Sequence, residues 1–394
     1  MWIFMAILGV FFILYFIILR KHTWISFVFL VVALAVLAYR AEPNPTDDLV
    51  RYFKIIDAMR AGGWDRFQQM LDNNEFDFGA LPVCGYYFYF ISRLPNNYFL
   101  PFFTILISYG CNMLLIYKAA KRFKVDKFYL MIALLLMLST YWFYDIYSGV
   151  RNGLAFAVSL ICVYYHFVER KNILLCFFGY FLAIGLHSSG IVPVALAVVA
   201  WLTYNIASKT INILLIFAIG GSSTVLSFLA NVTDNRFIQA LAGKTESASE
   251  GMGLNFSTNY LVNVATYIVG IIIIAYCFTY IKKYVTDIGD RRFFRYVEVV
   301  MFFMAGSILS SLLFLRIARW ILPVLIAVVY MVGMQIQKNR IDSGQINTYY
   351  LSNTPRSERV RASNKGITTF FIVAYCAVHL WYDIAGSSLT WLNV

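Results

Sequence analysis

Residues 127–171 read KFYLMIALLLMLSTYWFYDIYSGVRNGLAFAVSLICVYYHFVERK, which is two apolar runs joined by a short polar turn and followed by basic residues. Each run approaches the ~20 residues that an α-helix, rising about 1.5 Å per residue, needs to cross about 30 Å of hydrocarbon. The stretch therefore predicts a hairpin of two membrane-spanning helices, near 128–146 and 153–168. Arg151 lies in the turn between them.

The composition of the whole chain agrees with that local pattern. The chain is 61% hydrophobic and 13% charged, with a mean hydropathy of +0.70. Soluble domains are about half apolar and about a quarter charged. The net charge of +12 does not indicate a nucleic-acid-binding protein, because the basic residues cluster in short loops between apolar runs. We therefore expect an integral membrane protein with no nucleic-acid partner.

Apolar runs recur along the chain at lengths close to a membrane span. They predict an all-α polytopic membrane protein with about twelve transmembrane helices in a single domain, residues 1–394. The predicted spans lie near 2–19, 24–39, 98–117, 128–146, 153–168, 173–188, 190–204, 212–230, 259–281, 296–315, 320–336 and 367–384.

The distribution of lysine and arginine predicts the orientation. The segments 118–127 and 282–295 hold five basic residues each, and 338–365 holds six, so these segments are predicted to be cytoplasmic. The apolar stretch 81–92 is too short to cross and would break this pattern if it did. We therefore expect a re-entrant or interfacial helix there, and a mobile cytoplasmic loop at 337–366.

Residues 40–97 are predicted to form a periplasmic loop with amphipathic helices at the membrane surface. Apolar residues from Leu49 to Met59 recur at helical spacing, and Gly62 and Gly63 are expected to end that helix. Asp47 has two open interpretations: a helix cap, or together with Asp48 a carboxylate that works in acid–base chemistry.

Four further polar residues are predicted on the same external side. Arg151 begins a span, where it serves either as a snorkelling residue or as a functional cation, and Asp145 is a candidate partner for it. His187 ends a span and precedes the polar turn Ser188–Gly190, so it is either a satisfied core residue or a titrating group. Arg316 and Arg319 share one helix face at i and i+3.

Guanidinium groups bind phosphate oxygens in a bidentate manner, so three converging arginines favour a diphosphate guest. The six cysteines are scattered without metal-like spacing, and no nucleotide-binding or zinc motif is present. We expect no cofactor and no metal. The energy for a reaction would then have to come from the substrate itself.

The sequence resembles the EpsG/Wzy-type family of exopolysaccharide and O-antigen polymerases. The resemblance rests on DDLVRY (47–52), GVRNGLAFAVS (149–159), GLHSSGIVPV (185–194) and LRIARWILPV (315–324), and it runs from about residue 40 to 335. It is most specific in the arginine-containing helix start followed by the histidine-containing hairpin.

The resemblance implies a metal-independent glycosyltransferase of GT-C-like architecture in the bacterial inner membrane. Its substrates would be undecaprenyl-diphosphate-linked repeat units at the periplasmic face, and a chain-length regulator protein is a possible partner. Arg151, His187 and Asp47 or Asp48 are then expected to be catalytic, and Arg151, Arg316 and Arg319 to bind diphosphate. Further substrate contacts are expected from the residues Tyr52, Arg40 and Tyr147.

Two other functions remain open at this point. An O-antigen ligase would use the same donor but pass the glycan to another acceptor. A flippase for lipid-linked sugars would place charged residues near the bilayer midplane, whereas the polar groups here are predicted at the external boundary.

Overall fold

The computed structural model describes residues 2–17, 22–45, 47–205, 210–216, 258–308, 311–343 and 365–386. Within these ranges the chain is helical and contains no β-strand. A helix satisfies its own backbone hydrogen bonds, which is what an apolar chain in lipid requires. The predicted all-α class is therefore confirmed for the described part.

The helices follow the apolar runs closely. The N-terminal half contains α1 (Trp2–Ile17), α2 (Thr23–Arg40), α3 (Asp48–Asp72), α4 (Pro82–Ser92), α5 (Phe99–Arg122), α6 (Lys127–Thr140), α7 (Phe143–Ser148), α8 (Val150–Phe167), α9 (Ile173–Leu186) and α10 (Ile191–Thr203). The C-terminal half contains α11 (Thr258–Tyr284), α12 (Ile288–Ser307), α13 (Ser311–Trp320), α14 (Leu322–Asp342) and α15 (Lys365–Gly386).

Three described helices are long and apolar enough to cross a membrane, namely α2, α5 and most of α11. A fourth crossing is possible if Leu313–Trp320 and Leu322–Arg340, which meet at 44°, form one bent span. The count of twelve spans remains a prediction. Most of the expected span at 212–230 and most of the loop at 337–366 lie outside the described residues.

Residues 316–319 are predicted to form a turn between two spans, but the structure shows a helix there. These residues lie inside α13, and the described chain bends by 44° at Ile321, between α13 and α14. Pro323 accounts for the bend, because proline lacks a backbone N–H and disfavours helical geometry in the residue before it. The predicted turn at 316–319 therefore lies a few residues before the observed bend.

α14 forms the centre of the bundle. Its residues 322–335 are buried on all sides, and it contacts α5, α6, α11 and α13. A helix that is apolar all round is expected at such a position. The amphipathic elements α3 and α4 pack on each other, and α4 in turn contacts α9.

The segment between residues 40 and 97 folds largely as the pattern predicts. α3 is interrupted at Gly63, whose φ of 65° and ψ of −146° are not helical. α4 has 11 residues, a length of about 16 Å, and is too short to cross the hydrocarbon alone. This length agrees with the interfacial or re-entrant helix expected at 81–92.

Ion pairs connect the basic segments at the end of the bundle opposite Arg151. They are Arg122–Asp290 at 2.6 Å, Arg170–Asp287 at 3.1 Å, Lys118–Glu169 at 3.3 Å and Lys338–Asp126 at 2.8 Å. Burial raises the pKa of the Asp290 carboxyl, and the Arg122 guanidinium opposes that shift. The basic segments thus meet on one face, as the charge pattern predicts.

Candidate functional site

The start of α8 is held against α13 by a large aromatic side chain. A Cβ atom at Gly149 would lie 2.8 Å from Cη2 of Trp320, and one at Gly153 would lie 3.4 Å from Cζ3. Only glycine leaves room at Gly149 for this approach, because contacts under 3.0 Å are essentially never seen for real side chains. The contact brings the arginines of α13 to the helix end that bears Arg151.

Arg151, in the first turn of α8, reaches back to the segment that precedes α4. Its Nη1 donates a hydrogen bond to the carbonyl oxygen of Phe76 at 3.1 Å. Its Cζ lies 5.8 Å from the ring centroid of Tyr52, and Cζ of Arg51 lies 5.4 Å from the same ring. Two guanidinium groups therefore lie within cation–π distance of one buried tyrosine.

A cavity of about 190 Å³ opens beside these residues. Its polar lining comes from Arg51, Tyr52, Asn74, Asp77 and Arg151. Its apolar lining comes from Ile55, Phe76, Phe78 and Phe88. The cavity thus combines two guanidinium groups and one carboxylate with aromatic surface. Guanidinium groups suit an anionic group, and aromatic rings suit the sugar or lipid attached to it.

The two arginines of α13 have different environments. Arg316 is close enough to Arg151 for their like charges to interact. Arg319 instead donates to Oδ1 of Asp145 at 3.3 Å, which corrects the expected pairing of Asp145 with Arg151. The reason is geometric: α13 places Arg319 beside α7, while the Arg151 side chain is held by Phe76. Arg316 is therefore the α13 arginine whose charge acts together with that of Arg151.

Asp47 occupies the N-cap position of α3 but does not cap the helix with its side chain. Its Oδ2 accepts the N–H of Asn44 at 3.0 Å, and its Oδ1 accepts a short hydrogen bond from the hydroxyl of Tyr144. The predicted position of the helix cap is therefore confirmed, but the Asp47 side chain makes no capping hydrogen bond. The carboxylate joins the chain before α3 to α7.

Asp48 and His187 also lie outside the cavity lining. Asp48 is exposed and pairs with Arg51 at 3.1 Å. His187 is 4% exposed, and its Nδ1 accepts the backbone N–H of Ser189 at 3.1 Å.

The His187 turn is nevertheless linked to the start of α8. The hydroxyl of Ser189 lies 2.6 Å from Nδ1 of His187 and donates to Oδ1 of Asn152 at 3.1 Å. Asn152 follows Arg151 directly in the sequence. The histidine hairpin and the arginine helix therefore form one hydrogen-bonded unit, although the imidazole is not among the groups lining the cavity.

The three other residues that were expected to contact substrate lie in different environments. Tyr52 lines the cavity, whereas Arg40 is exposed at the end of α2. Tyr147 is fully buried, and its hydroxyl donates to the carbonyl oxygen of Ala41 at 2.8 Å. Tyr147 thus fastens α7 to the end of α2.

Sequence reasoning missed the segment that forms the other wall of the cavity. Residues 72–79 read DNNEFDFG, and three of them have left-handed backbone angles: Asn74 with φ 51°, Phe76 with φ 55° and Asp77 with φ 67°. Arg66 holds the segment through two hydrogen bonds to Glu75, of 2.9 and 2.8 Å. The paired asparagines were the available signal, because asparagine tolerates left-handed geometry.

The model of the EpsG family matches residues 24–353, which is most of the chain. The chain belongs to the EpsG family. The match includes the cavity, the arginine-containing start of α8, the histidine turn and α13. No curated protein and no solved structure matches the chain.

Membership of the EpsG family suggests a polysaccharide polymerase-like, glycosyltransferase-like function in a multi-pass membrane protein. Among the described residues, no group of three or more His, Cys, Asp or Glu side chains is placed to hold a metal ion.

Proposed function

We propose that this EpsG family protein joins lipid-linked oligosaccharide repeat units into a longer polysaccharide. The donor would be a glycan on undecaprenyl diphosphate, and the acceptor a sugar hydroxyl of a second lipid-linked unit. The proposed site is the cavity beside Arg151, on the periplasmic face of a bacterial plasma membrane. The observation that supports this choice is the position of Arg51 and Arg151 in its wall, with Arg316 near Arg151.

The chemistry needs stabilisation of a departing diphosphate. The acceptor oxygen forms a bond to the anomeric carbon of the donor, and the bond from that carbon to the diphosphate oxygen breaks. Both electrons of the broken bond remain on the diphosphate, and the acceptor hydroxyl loses its proton. Guanidinium groups already in place stabilise this growing negative charge without reorganisation, which lowers the barrier.

Arg316 is within electrostatic range of Arg151, which supports an anionic guest. Two cations held together in a partly dry site repel each other, and a bound diphosphate relieves that repulsion. Arg319 is already neutralised by Asp145, so its proposed contribution is to position α13. The aromatic lining of Tyr52, Phe76 and Phe88 provides stacking surface for a sugar ring.

The test is an Arg151→Ala variant in a deletion strain, with surface glycan and lipid-linked glycan analysed together. We expect loss of long polymer with accumulation of single lipid-linked repeat units. Arg60→Ala is the matched control, because Arg60 lies on α3, pairs with Asp57 at 2.6 Å and is outside the cavity lining. It is expected to leave polymer length unchanged.

The other outcomes point to other functions. Normal long polymer from Arg151→Ala at equal protein level would contradict the proposal. Full-length polymer that stays on its lipid and is absent from the final acceptor would indicate a ligase. Loss of all repeat units from the outer surface, with units retained inside, would indicate a flippase. A chain-length regulator protein is a further proposed partner, and its loss would alter the polymer length distribution.

A further inference from the structure

The cavity wall contains an acidic residue that the family resemblance did not single out. Among the described residues that line the cavity, Asp77 alone bears a carboxylate. Its negative charge acts on Arg151, so the two groups are electrostatic neighbours in the same site. A cation and a carboxylate in one cleft are the pair that a metal-free glycosyl transfer needs, one for the leaving group and one for the acceptor proton.

The backbone at Asp77 is held in an uncommon geometry. Its φ of 67° is left-handed, which is costly for a residue with a side chain. Its carbonyl oxygen accepts two backbone N–H groups, from Leu81 at 2.7 Å and from Ala80 at 3.1 Å. Together with the Arg66–Glu75 pair, these bonds hold the segment in place.

The position of Asp77 is coupled to that of Arg151. The guanidinium of Arg151 binds the carbonyl of Phe76, the residue immediately before Asp77. One short segment therefore sets both the arginine and the carboxylate. A shared segment of this kind fixes the distance between the group that binds the leaving diphosphate and the group that faces the acceptor. Catalysis is faster when the reacting groups are held in a fixed geometry.

The other candidate bases lie outside the lining of this cavity. Asp47 accepts hydrogen bonds from Asn44 and Tyr144, and Asp48 faces solvent beside Arg51. His187 is almost completely buried, with Nδ1 bound to the Ser189 turn. None of these three groups lines the cavity of Arg151 within the described structure.

We propose that Asp77 is the general base of the polymerisation reaction, an assignment that rests on the proposed function. As the acceptor oxygen attacks the anomeric carbon, its proton passes to the Asp77 carboxylate. The glycosyl–diphosphate bond breaks, and the electron pair leaves with the lipid diphosphate beside Arg151. The carboxylic acid then releases its proton to water, which returns the site to its starting state.

The test compares Asp77→Asn with the wild-type protein in lipid nanodiscs. Asparagine keeps the shape and tolerates the left-handed φ, but it cannot accept the proton. The substrate is the lipid-linked repeat unit that accumulates in the Arg151→Ala strain, and undecaprenyl diphosphate is the binding probe. We expect the polymerisation rate to fall by about 100-fold or more while the probe binds as in the wild type.

Two further variants make the result decisive. Asp65→Asn is the matched control, because Asp65 lies on α3 shortly before this segment, is exposed and does not line the cavity. It is expected to keep the wild-type rate. Asp77→Glu retains a carboxylate and is expected to be faster than Asp77→Asn. Equal rates for these two Asp77 variants would overturn the assignment.

The outcome also separates this inference from the proposed function. A wild-type rate in Asp77→Asn, with Arg151→Ala inactive, would overturn the role of Asp77 and leave the polymerase intact. Loss of probe binding in Asp77→Asn would assign Asp77 to binding and would also overturn its role as a base. Failure of Arg151→Ala to accumulate lipid-linked units would contradict the polymerase itself.

Discussion

At the scale of single residues, the proposed chemistry centres on Arg151. Its guanidinium is planar and has several donors, so it can bind the Phe76 carbonyl, lie near the Tyr52 ring and still present N–H groups to a ligand. A lysine at the same position would supply one point charge. The identity of the cation therefore matters as much as its charge.

Arg151→Lys tests this point. We expect a polymerisation rate about 10- to 100-fold below the wild type, because the ammonium group cannot bind the diphosphate and the Phe76 carbonyl in the same fork geometry. The measurement is the initial rate of polymer formation in nanodiscs. Arg60→Lys, which changes a half-buried arginine outside the cavity, is expected to retain the wild-type rate.

Asp47 and Tyr144 form a second residue-scale contact that joins the chain before α3 to α7. Tyr144→Phe leaves the Asp47 carboxylate with one fewer donor, so we expect a loss of stability on the order of 1 kcal/mol. The thermal midpoint of the detergent-solubilised protein measures it. Tyr86→Phe is the control, since Tyr86 is 50% exposed; an equal drop in both variants would contradict the role of the Tyr144 hydroxyl.

At the scale of elements, the close approach of α8 and α13 decides whether the arginines converge. Gly149 has no side chain, and the Trp320 indole fills the space that a Cβ would occupy. The same glycine also lies close to the carbonyl of Asp145, so α7, α8 and α13 meet at one point. Packing at this junction is what places Arg316 near Arg151.

Gly149→Ala is expected to disturb this junction. The added methyl group would meet Trp320 and the Asp145 carbonyl under 3.0 Å, so the helices must shift, at a cost of about 1–3 kcal/mol. We expect a lower thermal midpoint together with reduced polymerisation. Gly9→Ala is the matched control, because a Cβ there meets nothing within 4 Å. Full activity in Gly149→Ala would show that the approach of α13 is not needed.

At the scale of the whole molecule, the two ends of the bundle have different electrostatic character. The end bearing 118–127 and 282–295 is rich in ion pairs, such as Arg122 with Asp290 and Arg170 with Asp287. The opposite end holds cations near one another, such as Arg151 and Arg316. The first arrangement suits stability, and the second suits binding of an anion.

Arg122→Ala tests the stabilising role of the ion-paired end. The Asp290 carboxyl is only 7% exposed and loses the guanidinium that binds it, which we expect to cost on the order of 2 kcal/mol. The thermal midpoint should fall while the specific activity of the folded protein is retained. Lys121→Ala, an exposed neighbour, is expected to leave the midpoint unchanged.

The positions of the helices could be predicted from the sequence, because a helix in lipid must be apolar over a fixed length. α2, α5 and α8 begin and end within a few residues of the predicted spans. The kink at Gly63 was likewise predictable from the paired glycines. The bend between α13 and α14 lies a few residues after the predicted turn. A bend of this kind depends on local backbone geometry, and the apolar pattern continues through it without a break.

The functional site was predictable only in part. Arg151 and Tyr52 stood out by residue type, and the structure places both in the cavity wall. The partners of Asp47, Asp145 and His187 depend on contacts between residues far apart in sequence or on a local turn. A hydrogen-bond partner is a property of three-dimensional distance, which residue spacing does not encode.

The sequence by itself determined two properties of this protein, its membrane environment and its helical secondary structure. Long apolar runs favour a membrane, and in lipid a helix satisfies its own backbone hydrogen bonds. The sequence also marked which ends of the helices hold cations. Only the tertiary structure decided which of those charges meet. Trp320 packs against Gly149 and brings α13 to α8. The left-handed residues between Asn74 and Asp77 place Asp77 in the cavity that Arg151 also lines. Packing between segments distant in sequence sets these positions.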